Sequence, residues 1–282
     1  MAMRSILCVP ANRQSMVEKS SQYESDQVIF DLEDAVVQSD KAAARKLLSD
    51  FFHNNEVPTK TSIRVNEIAS PESGNDLDLL AGLDQKKLWS VIIPKVDSSE
   101  SIARWVKLLP PSIKIEAQIE SAMGLISASE IAAHPQVISL AFGPVDFMHS
   151  IGMPSSEPGI PESSVAGALQ WPLLQIVIAA HAHGKLAYDG PFLKIKDQQE
   201  FIKSAEISRA LGADGKWLIH PNQIASCNEI FSLSDEEIQN AKRVINVFHS
   251  SSGAASLDGL MIDEASKKLA EQILERSTQI RK

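Results

Sequence analysis

Cysteine is scarce. Cys8 and Cys227 are the two in 282 residues, too few for a disulfide framework, and both sit in apolar sequence that reads as buried, reduced thiol. Basic residues are outnumbered, 27 Lys+Arg against 36 Asp+Glu, for a formal charge of −9. A surface of that sign excludes generic nucleic-acid binding, yet it leaves room for a local basic pocket that takes an anionic substrate. Long apolar runs are absent; Leu173–Ala180 is a helix core, not a membrane span. Met1–Pro10 lacks the apolar stretch of a signal peptide, so the expected location is cytoplasmic. A Gly-rich phosphate fingerprint after the first strand is missing too. Pro10–Ala11–Asn12 stands in its place, which argues against an open dinucleotide-binding sheet.

What is present is one repeating unit. A short β-rich run ending in polar residues is followed by an amphipathic stretch of helical period. The runs are Ser5–Val9, Gln27–Leu32, Thr61–Val65, Ser90–Pro94, Ile113–Ile119, Val137–Phe142, Leu186–Tyr188 and Lys216–Ile219. Helical patterns lie between them at Lys41–Phe52, Asp76–Leu83, Glu100–Leu108, Ala122–Ala133, Val165–His183 and Gln198–Leu211. With 44% hydrophobic residues the chain can bury one large core, and eight alternations predict an α/β fold, a closed (β/α)8 TIM barrel. The barrel is expected over 1–249 and a C-terminal helical lid or extension over 250–282. Met153–Glu162, rich in Pro, Gly and Ser, reads as a loop above the sixth strand. Ser250–Ser256 reads as a small-residue hinge. It leads to Leu257–Asp263 and a last helix, Glu264–Gln279, which is either a surface helix or a lid.

In such barrels the chemistry sits where the C-terminal strand ends converge. There the sequence puts Asp31, Glu33 and Asp34, then Arg64 and Asn66, then Lys95, Glu120, Asp146, Asp189 and His220. Charges at barrel ends cost free energy unless paired or ligating, so the ring is a candidate site as a group. Carboxylates without His or Cys beside them suit a hard cation, Mg²⁺ or Mn²⁺, which keeps open positions for the oxygens of a 2-oxo or 2-hydroxy acid. Arg64 is then the grip on a carboxylate or carbonyl. His149, His181 and His183 read as helix residues without ligand geometry. Lys216 reads as a solvated strand-start lysine or a phosphate contact, and His220 as a barrel-end hydrogen bonder or a contact to coenzyme A.

The stretches RSILCVPAN, VIFDLEDAVVQSDKAAAR, IRVN, VIIPKV, AQIESAMGL, LAFGPVDF, AYDGPF, GADGKWLIHPNQI and LDGLMID occur in the order and spacing of a known group. Over nearly the whole chain the sequence resembles the citrate lyase β-subunit-like family, relatives of malyl-CoA and citramalyl-CoA lyases in the phosphoenolpyruvate/pyruvate barrel superfamily. The resemblance implies that Glu120 and Asp146 ligate Mg²⁺ and that Arg64 contacts the 2-oxo acid or acyl carbonyl. Glu33 and Asp34 would then lie around the metal, and main-chain amides over Gly143, Pro144, Val145 and Asp146 would hold the substrate carboxylate. Asp263 of the MID segment would be an acid/base entering a neighbouring subunit's site, in a homotrimer or higher homo-oligomer.

The implied reaction is carbon–carbon cleavage of a 3-hydroxy-acyl-CoA thioester to an acyl-CoA and a 2-oxo acid (pyruvate, glyoxylate or oxaloacetate), or the reverse condensation. Alternatives are a metal-dependent 2-oxo acid aldolase, thioester hydrolysis of the malate-synthase-like kind, and a non-catalytic metabolite-binding paralogue. The chain departs from the family at Ala11, at Val145 in place of an acidic residue, at Gln170–Trp171–Pro172 where a basic residue is usual, and in the lid sequence MIDEAS. These departures point to a divergent paralogue and leave the metal pair untouched.

Overall fold

The computed structural model describes residues 3–58, 60–157, 159–161, 166–250 and 255–280. They fall into two compact units, residues 3–228 and 229–280.

The first unit is a closed barrel of parallel strands: β1 (Ser5–Pro10), β2 (Gln27–Asp31), β3 (Thr61–Arg64), β4 (Ser90–Ile93), β5 (Ile115–Ile119), β6 (Val137–Phe142), β7 (Leu186–Asp189) and β8 (Gly215–Leu218). Each strand pairs with its chain neighbours and β8 closes on β1, Ser5 opposite Lys216. The strands are short and apolar because both their faces are covered, one by the barrel interior and one by helices. Successive side chains alternate between those faces, which stacks the interior in levels. At the strand starts lies a polar level. Gln27 Nε2 donates to Ser62 Oγ (2.9 Å) and to Glu116 Oε1 (2.6 Å), while Ser90 and Ser139 also donate to the Glu116 carboxylate. Ile6, Ile29, Ile92, Ala141, Tyr188 and Trp217 form an apolar cluster. Asp31, Arg64, Gln118 and Glu120 hold the strand ends.

The expected helices form, with local differences. Ala122–Ala133 is two short helices, Ala122–Ile126 and Ala128–Ala132, interrupted at Ser127, which leaves helical geometry. The helix expected over Val165–His183 is a 3₁₀ turn, Ala166–Leu169, followed by Gln170–Ala182; Val165 lies outside the described residues. Within the stretch read as a loop, Ser155–Glu157 pairs antiparallel with Ile160–Pro161, while Glu162 lies outside the described residues. Among the described residues no helix is long and apolar enough to cross a membrane. Both cysteines are free.

In the second unit, Asp235–Ser250 packs on Glu264–Ile280, with Lys267 Nζ 5.3 Å from the centre of the Phe248 ring. The appendage expected from residue 250 therefore shares a compact unit with the preceding helix. Of the expected hinge, 251–254 lie outside the described residues. Ala255–Leu257 and Leu260–Ile262 form a hairpin. Its turn carries Asp258 at φ 52° and Gly259 at φ 82°, the left-handed pair that a two-residue turn demands and an Asp-Gly dipeptide supplies.

Candidate active site

Asp31 ends β2 fully buried and takes Arg64 in a two-pronged grip, Nε to Oδ1 at 2.8 Å and Nη2 to Oδ2 at 2.5 Å. Its oxygens also accept the backbone N–H groups of Glu33 (2.8 Å) and Ala35 (3.1 Å). Burial opposes its charge, but Arg64 and these hydrogen bonds leave the carboxyl below the usual range. Asp31 is thus the anchor of the arginine. Arg64, on the neighbouring strand, extends Nη1 to Glu33 Oε2 (3.2 Å) and to Gln118 Oε1 (3.3 Å), and its guanidinium lies 5.8 Å from the Trp217 ring. A guanidinium fixed on three sides is pre-organised for an incoming carboxylate or oxyanion.

The loop after β2 is latched from below. Lys41 is buried and donates to Leu32 O (2.8 Å), Glu33 O (2.9 Å) and Asn66 Oδ1 (2.6 Å). Asn66 in turn donates to Asp76 Oδ2 at 2.7 Å. Asn66, expected in the mouth ring, therefore serves this latch, and the latch sets Glu33. Glu33 Oε1 accepts from Lys95 Nζ at 2.7 Å, whereas Oε2 has no hydrogen bond and only the ionic contact with Arg64. Burial raises the Glu33 carboxyl against the pull of Arg64 and Lys95. Asp34 is exposed on the rim, 3.7 Å from Lys95 Nζ.

Glu120 follows β5 and is 3% exposed. Its Oε1 accepts the Lys95 backbone N–H (2.6 Å), which Lys95 aims by adopting φ 53°, and its Oε2 accepts Gln118 Nε2 (2.6 Å). Burial and the neighbouring carboxylates of Glu33 and Asp146 push its carboxyl up to about 8, against the Lys95 N–H and Arg64. Asp146 sits in the first turn of the helix Pro144–Ser150, which starts directly after β6, the neighbour of β5. Three carboxylates thus act on one another, two of them buried. A divalent cation relieves that crowding, and each oxygen of Glu120 retains a lone pair beyond its one hydrogen bond. Among the described residues no group of three or more His, Cys, Asp and Glu forms a complete cage. A carboxylate pair that leaves positions to water and substrate suits Mg²⁺.

In the Gly143–Asp146 turn, the Gly143 amide is taken by Ile119 O (2.9 Å) and Pro144 has no N–H. The first-turn amides left for a ligand are those of Val145 and Asp146. A Cβ on Gly143 would stand 2.5 Å from Glu120 Oε2 and 3.0 Å from Gln118 Nε2, so the glycine exists to admit Glu120.

Other expectations change. Asp189 leaves the mouth ring: its carboxylate faces the helix layer, accepting from Ser208 Oγ (2.5 Å) and from Lys216 Nζ. Lys216, read as solvated, is 2% exposed and paired there, because it lies on the helix-facing side of β8. His220 accepts the Asn222 N–H at 3.2 Å and caps a short 3₁₀ turn. His181 pairs with Asp214 and His183 with Ser129, both at 3.0 Å. Asp263, in the second unit, caps Glu264–Ile280, accepting from Ser266 N and Ser266 Oγ, each at 2.9 Å. Those bonds hold its carboxyl below the usual range. Two contributors escaped sequence reading, Gln118 and the Lys95 backbone. Gln118 was legible as a polar residue two before Glu120 on an inward face.

A profile of the HpcH/HpaI aldolase/citrate lyase family matches residues 4–221. A (3S)-malyl-CoA thioesterase of Cereibacter sphaeroides is 32% identical over 98% of this chain and 95% of its own. An L-malyl-CoA/beta-methylmalyl-CoA lyase of Rhodobacter capsulatus is 31% identical over 95% and 92%. The crystal structure of CitE from Mycobacterium tuberculosis in complex with magnesium, acetoacetate and coenzyme A superposes with a TM-score of 0.82 at 31% identity, covering 98% of each chain. The barrel and its relatives agree: this chain is a member of the HpcH/HpaI aldolase/citrate lyase family, and an enzyme of the lyase class.

Proposed function

We propose that this chain is a Mg²⁺-dependent carbon–carbon lyase that splits a 3-hydroxy-acyl-CoA thioester of the malyl- or citramalyl-CoA kind into an acyl-CoA and a 2-oxo acid, or joins them. The observation that carries the reading is the buried Glu120 carboxylate, facing Asp146 and Glu33, beside an arginine that Asp31 holds rigidly. Glu120 and Asp146 would hold the cation, and Mn²⁺ would substitute for it. When bound, the metal acidifies a coordinated hydroxyl and offsets negative charge on a 2-oxo acid.

The chain's own residues do the rest. Arg64, which cannot recoil from Asp31, offers its remaining N–H to the developing oxyanion. Amides of Val145 and Asp146 receive the substrate carboxylate. Lys95 neutralises Glu33 at the rim. Asp263 would take a proton from the acyl-CoA in the condensing direction and return it in cleavage. It would act in a neighbouring subunit of a homo-oligomer.

A second reading is thioester hydrolysis, favoured by the thioesterase name of a relative at 32% identity. One assay separates the two. With Mg²⁺ and a panel of malyl-, citramalyl- and related thioesters, a lyase releases a 2-oxo acid without free thiol, whereas a hydrolase releases the thiol. Glu120→Ala and Asp146→Ala are each expected to abolish metal-dependent turnover. Full activity in either variant would show that the cation is held elsewhere.

A further inference from the structure

Gln118 lies on the inward face of β5, one alternation before Glu120, and is 5% exposed. Both ends of its amide are engaged: Nε2 donates to Glu120 Oε2 at 2.6 Å, and Oε1 accepts from Arg64 Nη1 at 3.3 Å. Chemistry fixes the orientation of that amide. A carboxylate only accepts and a guanidinium only donates, so the amide nitrogen must face Glu120 and the oxygen must face Arg64. Gly143 closes the remaining side, where a Cβ would come within 3.0 Å of Gln118 Nε2.

We infer that Gln118 is a positioning residue that ties the metal-binding carboxylate to the substrate-binding arginine, keeping both in one frame. An amide carries its donor and its acceptor on one rigid plane, side by side on the same carbon. Asn is a methylene too short to span the same two partners. Glu would set a second carboxylate against Glu120. Met and Leu fill the space but make neither bond. With Lys95 N–H on Oε1 and Gln118 on Oε2, the Glu120 carboxylate has no free rotation left. Partners of this kind, one bond removed from the ligand, are worth about 10–100-fold in metal affinity or activity.

The inference rests on the metal-dependent lyase reading, and the test separates the two. Mn²⁺ binding is followed by electron paramagnetic resonance in wild type, Glu120→Ala, Gln118→Met and Gln118→Asn, with melting temperature and kcat and KM measured in parallel. Expected are Mn²⁺ binding by wild type, its loss in Glu120→Ala, and a Kd raised about tenfold or more in both Gln118 variants. Their melting temperatures should stay within a few degrees of wild type, and kcat should fall at saturating metal. A residue that merely supports the fold would move the melting temperature and leave Kd in place. If Met at 118 prevents folding, the Asn variant decides. Wild-type Kd and kcat in a folded Gln118 variant would overturn the inference while leaving the lyase reading intact. Failure of the wild type to bind Mn²⁺ would overturn both.

Discussion

Gly143 shows how tightly single residues are set at this site. It follows β6, gives its N–H to Ile119 O, and leaves space that Glu120 fills. Gly143→Ala drives a methyl against the Glu120 side chain and the Gln118 amide, neither of which can retreat without losing a hydrogen bond. The expected result is a folded protein destabilised by about 1–3 kcal/mol, with Mn²⁺ affinity lowered about tenfold or more. Chemical denaturation and metal titration read the two effects separately, and unchanged affinity would show that Glu120 has another resting position. That Arg64, Glu33 and Glu120 gather at the strand ends, with Asp146 acting on Glu120, was legible because charge there is expensive unless it has work; which of them would ligate came only from the family resemblance. The role of Asp31 was not, since nothing in a sequence tells a carboxylate that ligates from one that anchors an arginine. Asp189 and Lys216 were misplaced for a related reason: β7 and β8 are short, and one residue of strand phase turns a side chain from the mouth to the helix layer.

At the scale of elements, the eight strands were legible from their β-rich runs, each bounded by polar ends. The break at Ser127 and the Asp258–Gly259 hairpin depend on single backbone angles. The Asp-Gly signal was present but lay inside a segment read for its resemblance rather than its turn chemistry. Asp263 is where the two kinds of reading meet, because one carboxylate both caps a 17-residue helix and is proposed as the acid/base. Substitution separates the roles. Asp263→Ala removes the cap and should cost about 1 kcal/mol. Asp263→Asn keeps an oxygen for Ser266 N–H and should leave the melting temperature unchanged, while kcat falls about 100-fold or more. Wild-type kcat in the Asn variant would reduce Asp263 to a cap. Mixing Asp263→Asn with Glu120→Ala subunits should restore part of the activity if the residue serves a neighbour, and none if it does not.

For the whole molecule, the barrel carries its charged chemistry at one end and a second, fully buried carboxyl at the other. Glu116 accepts hydrogen bonds from the neutral groups of Gln27, Ser90 and Ser139, and burial raises it above the ordinary carboxylate range despite them. A carboxyl raised in the folded state contributes stability in full below its unfolded value of about 4.3. That contribution is lost as pH climbs through the raised folded value, at up to about 1.4 kcal/mol per pH unit. Glu116→Gln has no proton to lose, and its amide oxygen can still accept from Gln27 Nε2. The variant should therefore gain on the wild type as pH rises, its melting temperature equal or higher at pH 8 and the advantage shrinking toward pH 5. Melting curves across that range, each read as the difference between variant and wild type so that the titration of Glu120 at the other end cancels, test this directly. A variant that melts several degrees below the wild type at pH 8 would mean that the barrel floor holds an ionised Glu116 and depends on its charge.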